Sequence, residues 1–207
     1  MPLTRNISNV PQVLDERRRE RDGEDLLAQL DDPDPVARRW AARDLAEYPG
    51  AVAVLLAHLG AERDLSVREV MLTTLVRMND PAAVAHLVGF LRSEDAALRN
   101  EAVETLKGFP DHVGSFVHEL LSDPSPDVRI FGVNVLESLR HPDVEKWLVE
   151  AIEADSHVNV CASAVDLLAA VGTRRSRESL ERLKKRFPDV PYLVFAIDLA
   201  VNRIDRA

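Results

Sequence analysis

Four stretches of the chain open on a helix-capping residue and then space their apolar side chains along one helical face. Asp34 leads PVARRWAARDL, Asp64 leads LSVREVMLTTL, Asp95 leads AALRNEAVETL and Ser125 leads PDVRIFGVNVL. In the second stretch the apolar positions are Val67, Met71, Leu72 and Leu75; in the fourth they are Val128, Val133 and Leu136. A helix turns about 100° per residue, so each set forms a single stripe. The Asp or Ser side chain is expected to accept from the N–H groups of the first turn. Pro35 and Pro126 follow at the first helical position, where a missing N–H costs nothing. Each stretch also carries an arginine, Arg38, Arg68, Arg99 and Arg129, at intervals of 30, 31 and 30 residues. A fifth copy is predicted from Asp155, with Asn159 in the arginine's place, and a weaker sixth from near Asp189.

The segments between these copies, such as AVAVLLAHL and AAVAHLVGFL, read as a partner helix for each. Pro49, Pro81, Pro110 and Pro142 stand at or just before their starts, closing one helix and opening the next. No segment alternates with period two for long enough to make a strand. Two short helices cannot bury their apolar faces alone, and stacking on neighbouring pairs removes the problem. The prediction is an all-α chain: a right-handed α-solenoid of about six two-helix repeats over residues 23–207. Residues 1–22 are expected to be an N-terminal arm or short capping helix, fastened by Val13 and Leu14.

The recurring Asp-x-x-Val-Arg-x-x-Ala-x-x-Leu pattern resembles the HEAT repeat, and the short period is similar to the bacterial variety of phycobilin lyases. The tetratricopeptide and ankyrin signatures are absent. The HEAT resemblance implies a structural ladder in which Asp34, Asp64 and Asp95 partner Arg38, Arg68, Arg99 and Arg129. The ladder would end where Asn159 replaces arginine. It also implies a non-enzymatic scaffold or adaptor that holds a protein partner on its concave face. The alternative it implies is a phycobilin-lyase-like chaperone of a chromophore or cofactor.

Charge and composition narrow the chemistry. The formal net charge of −9 opposes broad phosphate contact and argues against nucleic acid as a partner. Arg39, Trp40 and Arg43 make a suggestive trio, but Asp31, Asp32, Asp34, Asp44 and Glu47 surround it. The single cysteine, Cys161, lies in an apolar helix (VNVCASAV) and reads as a small buried hydrophobe. The histidines do not recur at one repeat position, and only His118 is followed by a glutamate, so they build no shared metal cluster. No catalytic residue, metal or cofactor is therefore expected. The chain shows no apolar run long enough to span a membrane and no secretory h-region, which points to a cytoplasmic protein. Residues 173–187 stand apart at +5, a basic strip that is either a solvated helix face or a dock for an acidic partner.

Two apolar surfaces are expected at the C-terminal half. Counting from Val67, Leu98, Val128, Val158 and Val190 as equivalent positions, the groove-facing rows turn from polar to apolar along the chain. Their apolar end nominates Ile130, Phe131, Asn134, Val160, Tyr192 and Leu193 as the partner-binding set, because monomers rarely expose large contiguous apolar patches. The last run, VPYLVFAIDLAV, has apolar residues in every direction around its axis. Leu193, Val194, Phe195, Ile197 and Val201 are therefore expected at a terminal interface, most simply a homodimer through this helix.

Overall fold

The computed structural model describes residues 22–206. The predicted N-terminal arm therefore lies almost wholly outside the described residues. Those described are helices joined by short turns, with no strand among them. The chain divides into two compact units, the first ending at Met78 and the second beginning at Asn79.

The first unit holds α1 (Gly23–Gln29), α2 (Pro35–Asp44), α3 (Val52–Ala61) and α4 (Leu65–Met78). Asp34 accepts from the N–H of Val36, and Asp64 from those of Ser66 and Val67, so each satisfies donors the helix start leaves unpaired. Helices α2 and α3 both pack on α4 and enclose Ala41, Ala42, Leu55, Leu59, Val67, Met71 and Leu75. Helix α4 ends at Met78, and the next residue, Asn79, has a left-handed φ of 50°, a common way to stop a helix.

The second unit runs α5 (Pro81–Phe90), α6 (Ala96–Leu106), α7 (Pro110–Val113), α8 (Val117–Leu121), α9 (Pro126–Leu136), α10 (Val144–Ala154), α11 (Val158–Val171), α12 (Arg177–Arg186) and α13 (Pro191–Arg206). Asp80 and Asp95 cap α5 and α6 with their carboxylates, and Pro81, Pro110 and Pro126 sit in the first turn of their helices. Ser125 departs from expectation. Its side chain makes no capping bond; instead its N–H donates to the carboxylate of Asp123 at 2.8 Å. Gly132 lets α9 lie close to α8, since a Cβ there would stand 3.0 Å from Leu120 Cβ. Helix α11 is the hub of the C-terminal half and packs against α9, α10 and α13.

The fifth copy starts later than the sequence spacing suggests. Helix α11 begins at Val158 with His157 as its N-cap, so Asp155 lies two residues before the cap. The sixth begins at Pro191, with the carbonyl of Val190 accepting the first helical bond from Val194. Counted from these caps, the equivalents of Val67, Leu98 and Val128 are Val160 and Leu193, not Val158 and Val190. The misregister arises because the caps of these two copies stand further from the preceding cap than the 30 or 31 residues of the earlier repeats.

Candidate functional site

Arg38 and Arg129 take partners other than Asp34, Asp64 and Asp95. Asp34 and Asp64 cap their own helices, and Asp95 caps its own besides making a further interaction. Arg38 instead makes a two-pronged bond to Glu62 at 2.7 and 2.9 Å, and Arg129 does the same with Asp155 at 2.6 and 3.0 Å. Both acids stand two residues ahead of the next repeat's cap. The remaining guanidinium nitrogen turns back on its own loop. Arg38 donates to the carbonyl of Asp32 at 2.8 Å, Arg99 to Ser93 at 2.6 Å and Arg129 to Asp123 at 2.7 Å. In every case the carbonyl lies six residues back. Arg68 is buried and bonded within the array. The Arg38 side chain holds the Glu62 carboxyl below its ordinary range against the opposing effect of burial. For Asp155, burial pushes upward, and the bonds from Arg129 and the His157 N–H outweigh it.

The ladder does not stop at Asn159, because Asn159 is not the equivalent residue. Cys161 is, and its thiol contacts the carbonyl of Asp155, six residues back, at 3.3 Å. The guanidinium comes from elsewhere: Arg186, at the end of α12, donates to the carbonyls of Ile152, Asp155 and Glu153 at 2.7, 2.7 and 2.8 Å and lies 3.3 Å from Cys161 Sγ. Burial pushes the Cys161 thiol up, which keeps it protonated beside this arginine.

The basic strip over 173–187 is largely consumed at home. Arg177 pairs with Asp205 at 3.2 Å, Arg182 with Glu153 and Glu178, and Lys184 with Asp198 at 2.5 Å. Arg186 serves the carbonyls just described. Arg174, Arg175 and Lys185 of the strip stand exposed with no side-chain bond to a described residue. In the first unit, the trio over α2 is likewise self-engaged. Arg43 lies over the Trp40 ring at 5.0 Å, and Arg39 donates to Ser66 at 3.2 Å.

The apolar candidates separate cleanly once the register is known. Val160 (1% exposed) and Leu193 (0%) are core residues, as their equivalence to Val67 and Val128 requires, and they leave the partner-binding set. Leu193, Ile197 and Val201 are buried against the second unit and leave the terminal-interface set. Val194 is half-buried. Tyr192 (53%), Phe195 (70%) and Leu199 (49%) stand exposed on α13. Their spacing of three and four residues puts them on one stripe, away from the buried Leu193–Ile197–Ala200–Ile204 side. The Tyr192 hydroxyl donates to Asn159 Oδ1 at 3.0 Å, which ties the stripe to the outward row of α11. Ile130, Phe131 and Asn134 on α9 are half-buried. Leu199 was missed in the sequence reading, because without the correct helix start its direction was unknown.

Comparison with known proteins rests on this fold. A family model described as HEAT repeats matches residues 23–107 and 115–194. The chain belongs to the HEAT-repeat family. No curated protein matches the HEAT chain in sequence. Among solved structures, the Drosophila melanogaster Mini spindles TOG3 domain is similar at 17% identity and TM-score 0.53, covering 86% of this chain and 92% of that one. A designed armadillo repeat protein is similar at 16% identity and TM-score 0.46, covering 88% and 100%. The complex of CpcE and CpcF of phycocyanin lyase from Nostoc is similar at 16% identity and TM-score 0.38, covering 98% and 100%. These likenesses describe an α-solenoid fold and no more. Among the described residues no HEAT helix is long and apolar enough to cross a membrane.

Proposed function

We propose that the chain is a non-enzymatic scaffold or adaptor that holds a protein partner on the outward face of its last repeats. The exposed Tyr192–Phe195–Leu199 stripe on α13 carries this proposed face, and the half-buried Ile130, Phe131 and Asn134 on α9 are a second proposed contact. The observation that carries the reading is a change at equivalent positions. Nine residues after the cap, the earlier second helices place Arg43, Thr73, Glu104, Asn134 and Asp166, whereas α13 places Leu199. Five after the cap the residues are Arg39, Glu69, Asn100, Ile130 and Ala162, and then Phe195. Asp166 is exposed although its helix, α11, packs against both α9 and α13, so a packed neighbour does not cover the position that Leu199 holds in α13. An exposed aromatic and aliphatic cluster gains free energy when a partner covers it, roughly 1.5–3 kcal/mol for each large side chain.

The test is co-purification from the native host with wild-type protein and with Phe195→Glu/Leu199→Glu. A partner present with the wild type and absent with the variant, at unchanged helicity and melting, supports the reading. Equal recovery of every partner refutes it. Light scattering on the same pair decides whether the partner is a second copy of the chain, the homodimer expected from the last helix.

A further inference from the structure

The α13 stripe has two chemically different ends, and this names the partner's chemistry. Continuing at helical spacing from Tyr192, Phe195 and Leu199, the exposed positions become Asn202, Arg203 and Arg206. The two acids of the same helix are both engaged from α12: Asp198 takes Lys184 and Asp205 takes Arg177. Neither Arg203 nor Arg206 forms an ion pair with a described residue. Two guanidinium groups with no ion pair among the described residues thus adjoin an exposed apolar triplet, on a protein whose net charge is −9. What sets Arg203 and Arg206 apart from the exposed Arg174 and Arg175 is their place on the same helical stripe as Tyr192, Phe195 and Leu199.

We infer that α13 docks an amphipathic acidic segment of a partner protein, with apolar residues over Tyr192, Phe195 and Leu199 and carboxylates against Arg203 and Arg206. From Tyr192 to Arg206 the stripe rises about 21 Å, the length of roughly four helical turns. That suits a partner helix with apolar anchors at i, i+3 and i+7 and an acidic flank. Guanidinium groups favour carboxylates because their donors match the two oxygens together. The inference rests on the proposed protein-binding role and adds the sign and order of the partner's side chains. A second copy offers a poorer match, because its own stripe presents the same two cations.

The probe is a display library of random peptides of about 16 residues, panned on the intact protein and on Phe195→Glu/Leu199→Glu. Both targets are first matched in helicity and melting. Peptides enriched only on the wild type are expected to carry large apolar residues at helical spacing with Asp or Glu on one flank. The synthetic winner should weaken about tenfold on Arg203→Ala/Arg206→Ala, and its affinity should fall with added salt. Winners that need Phe195 and Leu199 but carry neutral or basic flanks overturn the acidic partner and leave the protein-binding face standing. A complete absence of variant-sensitive peptides overturns the peptide dock itself. A dimer in light scattering that Phe195→Glu dissolves assigns the stripe to a second copy and overturns the inference as well.

Discussion

The second helices of the early repeats and those of the last two solve one packing problem in different ways. In α2, α6 and α9 the helix supplies its own guanidinium, which turns back to the carbonyl six residues earlier. In α11 that position is Cys161, and Arg186 reaches in from the following helix to serve the same carbonyl of Asp155. The slot is therefore a property of the fold, and any nearby cation with sufficient reach fills it. Outward rows differ as well: the early helices show water Arg43, Thr73 and Glu104, while α13 shows Tyr192, Phe195 and Leu199.

The sharpest way to break this comparison is to remove a guanidinium from each half. Arg129→Ala leaves Asp155, only 7% exposed at its side chain, without its charge partner. A loss of about 2–4 kcal/mol is expected in denaturant unfolding, the upper part of that range applying to a buried partner. A change under about 0.5 kcal/mol would mean that the pair is ornamental.

Within α13, Leu193→Ala and Phe195→Ala ought to diverge. Leu193 is fully buried, so truncation should cost about 2–5 kcal/mol through lost transfer energy and a cavity. Phe195, 70% exposed, should change stability by no more than about 0.5 kcal/mol. Equal losses at the two positions would show that the helix is covered on both sides in the isolated protein.

Arg186→Ala tests the substituted rung. It removes donors from the carbonyls of Ile152, Glu153 and Asp155 and should cost about 1–3 kcal/mol. Equality with the exposed Lys185→Ala control would show that water serves these carbonyls as well as the arginine does.

The smallest expected effect is on acid stability. Arg38 lowers the Glu62 pKa in the folded state, so this contribution is present above the unfolded carboxylate's pKa. It is lost as pH falls through the folded value, which lies below the unfolded one. Glu62→Gln should start less stable at neutral pH and lose less on acidification. Parallel stability curves for the two proteins would contradict the assignment.

What the sequence by itself determined was the repeat: its helix caps at Asp34 and Asp95, its prolines, its apolar stripes and hence its stacked helices. These follow from local rules that act over one or two turns of chain. The identity of the arginines' partners was not legible in the same way, because Glu62 and Asp155 meet Arg38 and Arg129 only after neighbouring repeats pack. Nor could the sequence fix where the last two helices begin. Val160 and Leu193 seemed outward until the start of α11 at Val158 and of α13 at Pro191 turned them into the core. A shift of two residues turns α11 by about 200° and one of three turns α13 by about 300°, so only the tertiary structure decided which apolar side chains of α13 are buried and which stand exposed.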